Sequence, residues 1–244
     1  MISLTNMKKS RKGGFTLLEL LIVISIIAIL SIALVFMLNP AETLKKARDA
    51  QRISDLKTVK TALGIMLTST STPSLDNFGA ICVTTTTSGG NTSLNGAPKI
   101  RYSVDSTPTL TLATPGSDAA SAAAAFTASP AGTTAGKVDG TGWIPVSLKS
   151  LTGGTPISSF PIDPVNTVTT NATSTDSVYR YACQNGTSAT VGAGKPAYIF
   201  EINAALESSA YTVDDNKMSK DGGDNLFYYE TGNSLNLLPT GTGF

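Results

Sequence analysis

Hydrophobic and polar residues divide the chain into three zones. Residues 15–38 form an apolar run of 24 residues whose only charged side chain is Glu19. Residues 39–67 mix charged residues with apolar residues at helical spacing, and residues 68–244 show short apolar–polar alternations between Gly, Pro, Ser and Asn. The pattern predicts an apolar helix, then an amphipathic helix packed on an antiparallel β-sheet head, which is an α+β fold.

The apolar run is long enough to cross a membrane. At about 1.5 Å per residue it spans roughly 36 Å, against a hydrocarbon core of about 30 Å. Basic residues without any acid precede it, which favours a cytoplasmic leader and a head beyond the membrane: Lys8, Lys9, Arg11 and Lys12. A secretory signal peptide fits less well, because its apolar region is about 7–15 residues long and ends in a small-residue cleavage site. A plain membrane anchor is the alternative.

Glu19 is the residue that a plain anchor does not explain. A charge near the centre of a membrane helix costs about 2.5–3.5 kcal/mol, and less near the interface. Either Glu19 lies close enough to the lipid head groups to be tolerated, or it needs a cationic partner within an apolar assembly.

The segment from Lys12 to Ile22, KGGFTLLELLI, resembles the prepilin signature of type IV pilins and related pseudopilins. The resemblance implies that residues 1–14 are a leader. A membrane peptidase then cuts between Gly14 and Phe15 and N-methylates Phe15. It also implies that Glu19 pairs with the amino terminus of a neighbouring subunit, so that a cation from another chain compensates the buried acid.

This resemblance implies a structural filament subunit. The precursor would span the cytoplasmic membrane once and then assemble with further copies into a helical extracellular filament, a pilus. The implied partners are the prepilin peptidase, an inner-membrane platform protein and an assembly ATPase. Two alternatives stay open: a pseudopilin of a type II secretion or DNA-uptake system, and a membrane-anchored extracytoplasmic binding protein that does not polymerise.

A second helix follows the apolar run. Asn39, Pro40 and Glu42 are typical of the N-cap, N1 and N3 positions, and Pro40 predicts a kink because it has no N–H to donate. Apolar residues three and four apart predict the face that packs on the head: Leu56, Val59, Leu63 and Met66, with Leu44 and Ile53 on the same general side. Charged residues are predicted to share the opposing face, toward water or neighbouring subunits: Lys45, Arg48, Arg52 and Asp55.

The head contains six candidate strands: Ile81–Thr86, Ile100–Val104, Thr109–Ala113, Val178–Cys183, Tyr198–Asn203 and Leu226–Glu230. Asn203–Glu207 could turn helically after its strand, and Ala119–Phe126 fits a short helix or a loop. Ser- and Thr-rich composition in Thr84–Asn95 and Thr167–Asp176 is typical of mobile linkers. Around Trp143 and Phe160, prolines predict rigid turns with aromatic anchors in the core.

Two further features concern cross-links and metals. Cys82 and Cys183 both fall in predicted strands, and in an oxidising compartment a disulfide between them is expected. Four acids near a glycine turn are a weak candidate for a calcium site: Asp214, Asp215, Asp221 and Asp224. Their spacing is not that of an EF-hand, and a solvated turn is the preferred interpretation, so no firm metal or cofactor is predicted.

Composition argues against several other functions. The chain has no histidine, which excludes Ser-His-Asp and Cys-His catalysis, and two cysteines make no recognisable structural zinc set. With 18 basic and 17 acidic residues in 244, it lacks the basic excess typical of nucleic-acid-binding proteins. No convincing catalytic constellation is found, so the expectation is that the protein is not an enzyme and does not bind nucleic acid directly.

Overall fold

The computed structural model describes the chain in nine stretches: residues 13–77, 81–88, 91–95, 99–104, 127–130, 134–167, 175–185, 198–238 and 240–241. The chain divides into two compact units, Met1–Thr43 and Leu44–Phe244. Helix α1, Leu17–Leu38, lies in the first unit, and helix α2, Pro40–Ser69, begins in the first and continues through the second. A sheet in the second unit completes the predicted α+β fold.

Asn39 separates the two helices, as the sequence predicts. It adopts a left-handed conformation with φ of 38°, which ends α1. Its Oδ1 then accepts a hydrogen bond from the N–H of Glu42 at 3.4 Å, which caps α2, and Pro40 occupies the first helical position. The chain therefore ends one helix and starts the next within a single residue.

Seven strands form the sheet: β1 Val83–Ser88, β2 Asn91–Asn95, β3 Lys99–Tyr102, β4 Thr127–Pro130, β5 Tyr179–Asn185, β6 Tyr198–Ala204 and β7 Tyr229–Gly232. Strands β3, β5, β6 and β7 make a four-stranded antiparallel sheet. One edge of β5 pairs with β3 near its start and with β1 near its end, and the other edge pairs with β6. The pairings β1–β5 and β3–β4 are parallel, so the sheet is not wholly antiparallel as predicted.

The strand predictions are confirmed for β1, β3, β5 and β6 with small shifts of their ends. The predicted strand Leu226–Glu230 is wrong at its start, because β7 begins only at Tyr229. Thr84–Asn95 is not a linker in its described part, since β1 and β2 pair there as an antiparallel hairpin. The predicted strand Thr109–Ala113 and the segment Ala119–Phe126 lie outside the described residues.

The helical turn predicted at Asn203–Glu207 forms later in the chain. Strand β6 continues to Ala204, and a single π-helical turn occupies Ala210–Asp214. In the predicted linker Thr167–Asp176, residues 168–174 lie outside the description, and Thr167 forms an isolated bridge with Ser177.

Both faces of the sheet are covered. One face packs on α2 and on the segment around Trp143, through Leu56, Tyr181 and Phe200 among others. The opposite face forms a second apolar cluster with residues of the carboxy-terminal segment: Ile100, Tyr102, Val104, Val178, Ala182, Ile199, Ala205, Tyr228, Leu237 and Leu238. The sheet thus lies inside the head, with α2 on one side and the carboxy-terminal segment on the other.

Candidate processing and assembly site

The residues on either side of the predicted cleavage point lie before the first helix. Gly13 and Gly14 are exposed, and no atom lies within 4 Å of where a Cβ would stand on either residue. Phe15 is 83% exposed, and helix α1 starts only at Leu17. The peptide bond between Gly14 and Phe15 is therefore in open, non-helical backbone, the form in which a peptidase can bind it.

Glu19 lies in the first turn of α1. The N-cap Thr16 accepts a hydrogen bond from the N–H of Glu19 through its Oγ1 at 3.2 Å, and its carbonyl accepts the N–H of Leu20 at 3.2 Å. A carboxylate in the first turn also interacts favourably with the helix dipole. The helix start thus accommodates Glu19, while its side chain is exposed to whatever surrounds the helix.

The surface of α1 is apolar all round. Its large apolar side chains, among those that the structure describes, are between 46% and 85% exposed. Its two serines are satisfied internally, since Ser25 donates to the carbonyl of Ile22 and Ser31 to that of Ile27, each at 2.7 Å. A helix that is apolar on every side needs a membrane or other apolar surfaces around it.

Length and composition also fit a membrane span. Within the described residues, Leu17–Val35 is the one stretch of helix long and apolar enough to cross a bilayer. It lies near the amino terminus and follows the predicted leader, whose basic residues fall outside the described part of the chain.

Comparison with known families now agrees with this geometry. Residues 9–35 match the family model described as Prokaryotic N-terminal methylation motif. The chain carries the type IV prepilin-like signature. The match covers residues 9–14 of the predicted leader, the predicted cleavage point, Glu19 and most of α1, and it supports a type IV pilin- or pseudopilin-like protein with a membrane-anchored precursor. No curated protein and no solved structure matches the chain.

Behind the prepilin-like segment, the head is cross-linked as the sequence predicts. Cys82 and Cys183 form a disulfide, and both residues are buried. Asp76 holds the approach to Cys82, because its Oδ2 accepts the N–H groups of Ile81 and Cys82. The disulfide joins the residue before β1 to the middle of β5.

The weak calcium candidate is not supported by the arrangement of its acids. Asp215 pairs with Lys217 and Lys220, and these partners lower its pKa to about 2. Asp221 instead accepts the N–H groups of Gly223 and Glu230. In the part of the chain that is described, no three acids or cysteines are placed to hold a metal ion.

The two proline turns act as core anchors. Trp143 is fully buried, and its Nε1 donates to the carbonyl of Pro161 at 3.0 Å. The backbone N–H of Phe160 donates to the carbonyl of Gly136 at 2.9 Å, which ties the two segments together. A Cβ at Gly142 would stand 2.1 Å from the carbonyl oxygen of Lys137, so this crossing requires glycine.

The predicted charged face of α2 is wrong. Arg52 is fully buried and lies four residues before Leu56, on the same stripe of the helix. Asp55 accepts a hydrogen bond from the hydroxyl of Tyr179 on β5. Leu44, expected on the packed side, is 61% exposed. Helical spacing places Arg52 on the same face of α2 as Leu56. Its charge therefore does not show which face it lies on.

Arg52 is the centre of an ion-pair cluster that the sequence did not predict. Its guanidinium binds Asp163 at 2.7 Å, Asp49 at 2.8 Å and Glu207 at 2.8 Å, so it joins α2 to two distant segments of the head. Burial alone lowers the pKa of Arg52, but hydrogen bonds and charge from these carboxylates raise it above its ordinary value. The cation therefore stays charged although it is buried.

Arg48 extends the cluster toward the surface. Its Nε and Nη2 donate to the two oxygens of Glu207 at 2.7 Å each. The hydrogen bond from Arg48, with further contributions from Arg52, lowers the pKa of Glu207 to about 2. Asp49 completes the junction by accepting the backbone N–H groups of Glu207 and Ser208. These contacts hold α2 against the head rather than presenting its charges to other subunits.

Proposed function

We propose that this protein is a structural subunit of a type IV pilus-like filament. The precursor is inserted in the cytoplasmic membrane, cut between Gly14 and Phe15, and N-methylated at Phe15. Copies then assemble into a helical filament through α1, with the heads outward. The proposed role is structural and not catalytic.

The observation that carries the proposal is the exposed apolar surface of α1, most of which lies within the prepilin-like signature. Packing this surface against the α1 helices of other copies removes it from lipid or water. This packing holds the copies together but does not fix how one helix is aligned with the next. Glu19 fixes the alignment of neighbouring subunits, because only a neighbour whose new amino terminus reaches this carboxylate compensates its charge.

The partners follow from the same proposal. A prepilin peptidase supplies the cut and the methyl group, and an inner-membrane platform protein with an assembly ATPase supplies the work of extracting subunits from the membrane. A pseudopilin of a secretion or DNA-uptake system would use the same segment, so the length and abundance of the filament distinguish the two roles.

Replacing Glu19 with Ala tests the assembly step. We expect Glu19→Ala to be processed normally but to yield at most a few per cent of the wild-type surface filaments, measured by shearing and immunoblotting. Ser25→Ala is the matched control: it also removes a polar group from α1, but one that bonds only to its own helix, and it should assemble normally. Normal filaments from Glu19→Ala would contradict the assigned role of Glu19.

Replacing Gly14 with Val tests the processing step separately. We expect the variant to keep residues 1–14 and to stay in the membrane, while Gly13→Val, one residue earlier in the same open segment, is cleaved. The measurement is the intact mass of the membrane-extracted chain. Cleavage of Gly14→Val at the wild-type position, or equal loss of cleavage in both variants, would contradict the assigned cut.

A further inference from the structure

Two glutamates lie side by side inside the head. Glu201 on β6 and Glu230 on β7 are 0% and 1% exposed. In the β6–β7 register Glu201 stands opposite Gly232 and Asn203 opposite Glu230, so the two side chains are diagonal neighbours on one face of the sheet. A Cβ at Gly232 would clash with the carbonyl oxygens of Phe200 and Ser234, so β7 passes close to β6 beside Glu201.

The hydrogen bonds of this pair account for one oxygen of each carboxyl. Glu201 Oε2 accepts the N–H groups of Leu237 and Leu238 at 2.6 and 2.8 Å, and Glu230 Oε2 accepts the N–H of Asn225 at 3.0 Å. Each Oε1 is buried without an N–H or hydroxyl partner, and the strand register places the two carboxyls side by side. Two carboxyl oxygens form a hydrogen bond only when one of them carries a proton.

We propose that Glu201 and Glu230 share one proton at neutral pH and that this proton keeps the carboxy-terminal segment Asn233–Leu238 on the sheet. Glu201 is the ionised member, since it accepts two backbone N–H groups, and Glu230 is the acid that donates to it. Loss of the proton places two negative charges in contact inside the head. Repulsion then moves Glu201 away from Leu237 and Leu238 and releases the segment.

Among the described residues, the neighbouring charges that shift the pKa values of the pair are acids. Asp221 and Asp224, in the loop before β7, add negative charge near Glu230 and Glu201 respectively. On β5 the residue opposite Glu201 is Ala182, and Arg180 stands opposite Asn203 with its guanidinium 4.4 Å from the ring centre of Tyr228. The segment Asn233–Leu238 contains no titratable side chain.

The sign of the pH effect follows from burial. Burial, followed by the hydrogen bond and charge of Glu201, raises the pKa of Glu230 above its ordinary value, and burial raises that of Glu201. The folded protein therefore holds more protons than the unfolded chain in the range between the ordinary and raised values. Stability falls as pH rises through that range. The segment Asn233–Leu238 therefore stays on the sheet at acidic and neutral pH and is released at alkaline pH.

Infrared spectroscopy of the full chain in detergent micelles tests the shared proton. We expect wild type at neutral pH to show the C=O stretch of a protonated carboxyl, shifted in D₂O and lost at higher pH. Glu230→Gln should lack this band, whereas Asp139→Asn, which changes a partly exposed carboxyl of lowered pKa, should keep it. Absence of the band in wild type at neutral pH would overturn the proposal, whatever the fate of the variants.

Chymotrypsin cleavage after Leu235 and Leu237 tests the release of the segment. We expect cleavage of wild type to accelerate at least tenfold between neutral and alkaline pH, after correction for the enzyme's own pH profile on a peptide substrate. Glu230→Gln keeps an N–H donor toward Glu201 and cannot ionise, so its cleavage should stay slow. Fluorescence of Trp143, the one tryptophan of the chain, checks that the head stays folded. Equal pH profiles for the two folded proteins would overturn the proposal.

Discussion

At the scale of single residues, several charged side chains of α2 form ion pairs with residues of the head. Arg52 and Asp49 are fully buried, and Arg48 reaches Glu207 across a sequence separation of 159 residues. Removing one partner of a buried ion pair leaves the other charge without compensation, which costs more than the pair contributes. These residues are thus the most sensitive charges of the head.

Replacing Arg52 with Leu should destabilise the head by about 3–5 kcal/mol, because Asp49 and Asp163 would remain buried without their cation. The measurement is urea unfolding of the detergent-solubilised chain, followed by the fluorescence of Trp143. Lys57→Leu is the matched control on the exposed side of the same helix and should change stability by less than about 0.5 kcal/mol. Equal stability of the two variants would contradict the assigned role of Arg52.

The same cluster predicts an acid transition. The pKa of Glu207 is lowered from 4.5 to about 2, so its contribution is present above pH 4.5 and is lost as pH falls toward 2. In Glu207→Gln this part of the acid dependence should disappear. The measurement is the unfolding midpoint against pH, and an unchanged slope between those values would contradict the ion pairing.

Helical spacing alone could have predicted that Arg52 shares the stripe of Leu56. Its partners could not be predicted, because Asp163 and Glu207 lie 111 and 155 residues away and only the folded head brings them together. The role predicted for Glu19 rests instead on a local pattern, since residues 12–22 carry the resemblance, and it stays a prediction.

At the scale of elements, the helices and strands that could be predicted are those with a clear pattern of apolar residues in the sequence. Helix α1 and strands β5 and β6 have continuous apolar or alternating sequences, and the sequence located all three. Strand β2 is the run NTSLN and β4 ends in Pro130, so neither has the period-two pattern that marks a half-buried strand. These strands are specified by pairing with β1 and β3 rather than by their own residues.

The disulfide is the element-scale feature with the largest expected effect. It links residues 101 positions apart, and the chain-entropy model gives a loop of this length about 4–5 kcal/mol of stabilisation. Cys82→Ser with Cys183→Ser should lower the unfolding free energy by about that amount, measured by urea unfolding through Trp143. As a control, the unfolding free energy of the wild type is measured with the disulfide intact and again after reduction. No loss in either comparison would contradict a stabilising role.

At the scale of the whole molecule, the two compact units differ in how much apolar surface they leave exposed. The first unit carries an apolar helix with no buried surface, together with the processing signature. The second unit has its own core on both faces of the sheet, a disulfide and a buried ion-pair cluster. The described part of the head therefore has a core of its own, whereas the described large apolar side chains of α1 stay exposed.

The most direct test of this account is the mass of the protein sheared from intact cells, read at its amino terminus. The account predicts an abundant chain in the sheared fraction that begins with N-methylated Phe15 and lacks residues 1–14. A chain that stays in the membrane with residues 1–14 intact would contradict it and favour a plain anchor. A processed chain that is absent from the sheared fraction would contradict the surface filament and favour a pseudopilin.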